Sequence, residues 1–309
     1  MAHWSAIPLL TTAVGSYPPG DLPPKRAIQR AVEDQIAAGI DLISDGQVRG
    51  DMISLFAAGI PGFRQGLDDT WELEAPPDLP KEPLVAGDYL LARLLARDRA
   101  TVKGVITGPV TLALSTRLAP GTPYSSPSDP QLILRLAEIL AHEAVALVAA
   151  GAEIIQIDEP MLPEAVGKGL EMELIEQALR EVTALIPFSI LHICADVRPI
   201  AYELLALPIA ALNVSGTQFD TLSAFEADDL ESAGIQLIYG CVDTQAPAPE
   251  TRQTIQERIQ RAVERLGPEH LWLSPDCGLR LRSRDDAQEF LSELADAAQA
   301  VRARLEAYS

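Results

Sequence analysis

Cysteine is scarce in this chain: three residues in 309 cannot build a disulfide framework, and any pairing leaves one over. Free thiols suit a reducing cytosol, where they remain available to a metal. Basic residues are also in short supply. Lys and Arg total 24 against 44 Asp and Glu, a net charge of −20, which repels nucleic acid and anionic membrane surfaces and removes both from the expected partners. No apolar run approaches the length of a membrane span, and Met1-Ala2-His3-Trp4-Ser5 lacks the basic start of a signal peptide. A soluble, cytoplasmic protein is expected. No Gly-x-Gly-x-x-Gly follows a strand-like run, which argues against a dinucleotide-binding doubly wound sheet. No linker or shift in composition divides the chain, so residues 1–309 are read as one domain.

What the chain does have is alternation. Strands are expected at residues 7–14, 39–44, 101–107, 151–157, 210–214 and 236–242, and in the apolar runs leading to His192 and Cys277. Helices are expected at 24–38, 129–150, 171–185, 199–205, 221–233, 249–266 and 284–305. A long insertion follows the second strand, helical at 52–58 and 87–99 with a Pro-rich loop at 75–83. Eight strand-then-helix units predict an α/β fold, a single (β/α)8 TIM barrel with an insertion after strand 2. The insertion is in the right place for a lid.

Barrel active sites stand at the carboxyl ends of strands. Here those ends carry Ser16, Asp45 with Gln47, Asp158 with Glu159, His192 with Cys194, Ser215, Asp243 and Cys277. Strand alternation puts His192 and Cys194 on the same side. With Cys277 they make one nitrogen and two sulfur ligands, a zinc-type set that leaves a fourth position for a substrate atom. Any one of the three, taken singly, is as well explained as a buried core residue; the joint pattern favours metal. A thiol bound at such a metal loses its proton and becomes a nucleophile for an alkyl group. Asp158 suits a substrate ammonium, with loop capping as its alternative, and the Gly15-Ser16 turn suits a carboxylate. Cys241 reads as a small core residue, with a place as fourth ligand as the alternative. Arg49, Arg280 and Arg282, just beyond strand ends, read as exposed, salt-bridging arginines, with an acidic partner or a phosphate group as the alternative.

Several stretches in this order resemble the C-terminal catalytic barrel of cobalamin-independent methionine synthase, within a wider group that includes uroporphyrinogen decarboxylase and corrinoid-linked methyltransferases. They are Thr11-Thr12-Ala13-Val14-Gly15-Ser16-Tyr17-Pro18, Asp45-Gly46-Gln47, Val102-Lys103-Gly104-Val105-Ile106-Thr107-Gly108-Pro109-Val110-Thr111, Gln156-Ile157-Asp158-Glu159-Pro160, His192-Ile193-Cys194 and Leu271-Trp272-Leu273-Ser274-Pro275-Asp276-Cys277-Gly278-Leu279. The resemblance implies zinc held by His192, Cys194 and Cys277. It implies homocysteine held by Val14, Gly15, Ser16, Gln47 and Asp158, with Gln47 where the family often has Glu. Asp158 and Asp243 are the implied catalytic positions, and the implied reaction is methyl transfer to the homocysteine thiolate, giving methionine.

Four departures qualify the resemblance. The family's full-length enzyme carries a second barrel that helps bind polyglutamyl folate. Its pterin-stacking tryptophan falls at Ser115, its proton-donating histidine at Gln245, and its fourth-ligand glutamate near Ser215. The first three lead to the expectation of methylcobalamin, or a methylated corrinoid protein, as methyl donor in place of folate. Alternatives are a methyltetrahydrofolate-dependent synthase, a methyltransferase acting on a coenzyme M-like thiol, and a non-enzymatic zinc- or corrinoid-docking protein. A porphyrin-type decarboxylase would need a basic pocket, and the strand ends here are acidic or neutral.

Overall fold

The computed structural model of the protein describes residues 7–66, 68 and 70–308; Met1 to Ser5, read above for a signal peptide, lie outside them. Residues 11–12 form β1, followed by β2 (Leu42–Ile43), β3 (Thr101–Val102 continuing as Gly104–Thr107), β4 (Ile154–Asp158), β5 (Phe188–Ile193), β6 (Ala211–Ser215), β7 (Gln236–Val242) and β8 (Leu271–Pro275). The strands from β3 to β8 pair in parallel with their sequence neighbours. β2 pairs with Thr101–Val102, and β1 bridges both Leu42 and Leu273. Main-chain bonds complete the circuit. Thr12 N–H donates to Leu273 O at 2.8 Å, Leu42 N–H to Thr11 O at 2.9 Å and Lys103 N–H to Ile43 O at 2.9 Å. The expected parallel α/β ring is therefore present, with β1 and β2 shorter than the sequence suggested. A turn at residues 8–9, with Leu9 at φ 50°, keeps β1 from starting earlier.

Alternation along the strands sorts side chains into two cores. One row, including Ile155, Ile157, Leu191, Ile193, Leu212, Val214, Leu237, Tyr239, Cys241 and Leu273, packs with the helices. The opposite row supplies Leu10, Leu42, Ile154, Ile190, Ala211, Ile238 and Trp272, a separate cluster that plugs the barrel's amino end. Phe188 stacks on Trp272 there, with ring centroids 5.2 Å apart. Further along the same inward row the chemistry changes: Lys103, Gln156, Asn213 and Ser274 are all buried and polar.

Helices follow the strands close to where periodicity places them, among them Pro24–Ala37, Pro130–Ala149, Met172–Thr183, Arg252–Leu266 and Arg284–Tyr308. Asp129 caps the second of these by accepting from Gln131 N–H, a position where a short side-chain acceptor satisfies an orphan donor. In the insertion, the helix Ala86–Ala96 has no side-chain cap of its own. Buried Glu143 of Pro130–Ala149 supplies one instead, accepting from the N–H groups of Leu84 and Val85 at 2.8 Å. That bond ties the insertion to the barrel wall. A three-stranded side sheet of Phe63–Gln65, Trp71–Leu73 and Thr116–Leu118 was not foreseen. Its three-residue strands carry charged residues such as Arg64 and Glu72, paired at 2.8 Å, and show too little apolar alternation to be read. Among the described residues, no helix is long and apolar enough to cross a membrane.

Candidate active site

The carboxyl ends of the strands open into a cavity of about 690 Å3. Val14, Ser16, Gln47, Asp158, His192, Cys194 and Cys277 all line it, with Met52, Gln245, Arg280 and Arg282 around the mouth. Parallel pairing brings the strand ends to one level: Asp158 is registered with His192, and His192 with Asn213. One ligand atom each from His192, Cys194 and Cys277 lies within 4.8 Å of the others. A tetrahedral zinc with bonds of about 2.0–2.3 Å needs ligand atoms roughly 3.5 Å apart, so a small inward adjustment closes the set. His192 is buried, and its Nδ1 has no partner among the described residues. Cys194 donates to Cys277, which holds the Cys277 thiol well below its ordinary range and pushes Cys194 upward; His192 adds to the lowering at Cys277. One thiol of the pair is therefore poised as a thiolate, the form that binds metal. The donor set fits zinc.

Ser215, at the end of β6, stands beside the Asp276 carboxylate and outside the group of three. Asp276 in turn accepts from Gly216 N–H at 2.9 Å and from the Thr217 hydroxyl. Cys241 is fully buried among the outward-facing core side chains and is likewise not one of the converging ligands.

Above the thiols, Asp158 is buried and its pKa is raised by desolvation, an effect opposed by His192 and by a hydrogen bond from Gln156 at 2.7 Å. Gly15 lies against Gln47: a Cβ on it would come 2.9 Å from Gln47 Oε1. Gln47 is buried with φ of 44°, and its Nε2 has no partner among the described residues. A non-glycine residue in left-handed backbone is uncommon and marks a site where structure is spent on placing a side chain. Asp243 does not line the cavity. Its carboxylate accepts from Gln218 Nε2 and Gln245 N–H, each at 2.8 Å, and so braces the loop that brings Gln245 to the rim. Ser115 packs its hydroxyl against the Met161 sulfur at 3.4 Å, away from this cavity.

Several residues at the site were not assigned roles from sequence. Glu159 is buried and accepts from Val110 and Thr111 N–H at 2.9 and 2.7 Å, capping the short helix Pro109–Leu114; burial pushes its pKa up to about 7. Arg280 and Arg282 are not the salt-bridging arginines expected. They donate to the main-chain carbonyls of Gln47 at 3.1 Å and Ala246 at 2.7 Å, clamping two loops at the mouth. Arg49 does form an ion pair, with Asp88. Lys103 is a charge in the middle of a barrel strand, and that oddity was the signal available for it.

A parallel α/β ring with an imidazole and two thiols converging at its carboxyl end is a barrel whose strand-end site could hold a soft metal ion. Residues 20–300 match the family described as the catalytic domain of cobalamin-independent synthase. The methionine synthase of Methanothermobacter marburgensis is 31% identical over 316 residues, covering 94% of this chain and 99% of that protein. The 5-methyltetrahydropteroyltriglutamate–homocysteine methyltransferase of Burkholderia mallei is 28% identical, and the alignment covers 91% of this chain but 38% of that protein. Among solved structures, a B12-independent methionine synthase from a Shewanella species in complex with selenomethionine superposes with a TM-score of 0.81 at 21% identity, over 97% of this chain and 100% of that one. The chain belongs to the cobalamin-independent methionine synthase family and is a methyltransferase.

The expectation of methylcobalamin or a methylated corrinoid protein as donor finds no support in these relatives and is corrected here. The family is described as cobalamin-independent, and the Burkholderia relative is named for a methyltetrahydropteroyl donor. The alignment with the Methanothermobacter protein runs over 99% of that protein's length, so a second barrel is not common to the methionine synthases this chain matches.

Proposed function

We propose that this chain, as one barrel domain, transfers a methyl group to the thiol of homocysteine and forms methionine. The observation that supports it most directly is the convergence of His192, Cys194 and Cys277 within 4.8 Å on the floor of a cavity walled by Val14, Ser16, Gln47 and Asp158. Zinc, when bound by those three side chains, lowers the proton affinity of a thiol at its open position. The protein's own residues do the rest. Asp158 meets the acceptor's ammonium, and the Gly15–Ser16 turn with the Ser16 hydroxyl meets its carboxylate. Gln47 closes the pocket beside them. Asp243 contributes indirectly, through the loop it braces. As the sulfur–carbon bond forms, the bond from the methyl carbon to the donor nitrogen breaks; the thiol has given up its proton, and the donor nitrogen takes one up.

The donor carried into this reading is a methyltetrahydropteroyl compound, on the name of the Burkholderia relative. The compartment is the reducing cytosol that free thiols suit. Metal analysis and a donor–acceptor screen test the whole. The expected result is about one zinc per chain and methionine from homocysteine with methyltetrahydropteroyl triglutamate. Methionine from methylcobalamin alone overturns the donor, and preference for 2-mercaptoethanesulfonate over homocysteine overturns the acceptor.

A further inference from the structure

A lysine lies inside the barrel, between the apolar plug and the cavity. Lys103 is 1% exposed, and its Nζ donates to Thr12 Oγ1 at 3.0 Å and to Gln156 Oε1 at 2.5 Å. It forms no ion pair among the described residues. An unpaired buried cation is costly, and an apolar side chain of the same length would fill the space at no such cost. Its partner Gln156 makes two further bonds through Nε2, to Val14 O at 2.8 Å and to Asp158 Oδ1 at 2.7 Å. Val14 and Asp158 both line the cavity.

The chemistry of the amide links these facts. As an ammonium, Lys103 offers three N–H donors and no acceptor, so Gln156 must turn its oxygen toward it. That fixes the amide plane and forces Nε2 toward Val14 and Asp158. Without Lys103 the amide is free to flip, which would set its oxygen against a carboxylate and a carbonyl. The amine form keeps two N–H donors, enough for both Thr12 and Gln156, so the observed bonds can persist when the charge is lost. We propose that Lys103 is a positioning residue for the acceptor: through Gln156 it holds the Val14 main chain and the Asp158 carboxylate in the orientation that grips the amino-acid end of the thiol substrate. This rests on the acceptor reading given above.

The test uses cobalt(II)-loaded protein, whose thiolate absorption reports thiol binding without turnover. Homocysteine is compared with propanethiol, which has the thiol and lacks the amino-acid end. Lys103→Met should weaken homocysteine binding about tenfold or more, the effect of misplacing a charged hydrogen-bonding group, and leave propanethiol unchanged. Gln156→Met should give the same loss, and the double variant should lose no more than either single one, because the two act in series. Where Lys103→Met fails to fold, Gln156→Met and Thr12→Val carry the test, the latter expected to give a smaller loss of the same selectivity. A homocysteine preference that survives these substitutions, or losses that add in the double variant, overturns the positioning role. Wild-type protein that binds propanethiol as well as homocysteine overturns the acceptor reading, and the positioning role falls with it.

Discussion

The two ends of the barrel interior are built from the same strands and differ in almost every physical respect. At the amino end, Ile154, Ile190, Ile238 and Trp272 pack into an apolar cluster. Two to four residues along the same rows stand Gln156, Asp158, His192, Asn213 and Ser274, all buried and all polar. Burying an aliphatic side chain contributes about 1.5–3 kcal/mol, while each polar group at the other end must recover its desolvation cost through a partner. The amino end therefore stabilises the ring outright, while the carboxyl end contributes only as far as its polar groups find partners.

The sharpest way to break the comparison is to remove one residue from each end. Cys277→Ala should abolish zinc binding and turnover while leaving the metal-free protein folded, because Cys277 is half-buried and outside the plug. Ile190→Ala should do the reverse, costing about 3 kcal/mol in denaturant unfolding through a cavity in the plug, with zinc stoichiometry intact. Zinc retained in Cys277→Ala would remove the ligand assignment, and loss of zinc in Ile190→Ala would show that the two ends are not separable.

How far each end was legible follows from the same division. The plug is a consequence of strand alternation, and the three converging ligands come from two short motifs whose strand ends the topology brings to one rim. Lys103 and Gln156 were present in the sequence as parts of longer matches, but a partnership spanning 53 positions has no local signature. The arginines at the mouth were misread for a related reason: their partners are carbonyls, and Arg280 reaches one 233 positions away. Gln47 shows nothing in sequence of its left-handed backbone beyond the neighbouring Gly46.

A smaller effect separates charge from position at Lys103. Burial lowers its pKa to about 7, and nearby Asp158 opposes the shift. An unfolded lysine titrates near 10.4, so between about 7 and 10.4 the unfolded chain binds more protons than the folded one. Folding stability must then rise with pH through that window, since the penalty of the buried charge is complete below it and absent above it. The full span is at most about 5 kcal/mol, taking 1.36 kcal/mol per unit. Urea unfolding of wild type and Lys103→Met at pH 7 and 9.5 isolates it, because groups common to both proteins cancel. The variant should lack the rise. Equal slopes would mean that Lys103 keeps an ordinary pKa and that its burial at the carboxyl end carries no such penalty.

The finest discrimination is at Gly278, next to the metal ligand Cys277. A Cβ there would stand 2.0 Å from Ser16 Oγ and 3.3 Å from Ser16 Cβ, while Leu279 N–H donates to Ser16 O at 2.8 Å. The main chain of Ser16 is thus pinned and only its hydroxyl can give way. Rotating one hydroxyl is inexpensive, so Gly278→Ala should lower unfolding free energy by no more than about 1 kcal/mol, the low end for overpacking. The hydroxyl that turns aside is the one assigned to the acceptor's carboxylate. Homocysteine binding should weaken several-fold while propanethiol binding and zinc content hold, as read by the same cobalt absorption and by metal analysis. A loss of stability with unchanged homocysteine affinity would place Gly278 with the packing end of the barrel, and would take the Ser16 hydroxyl out of the acceptor site.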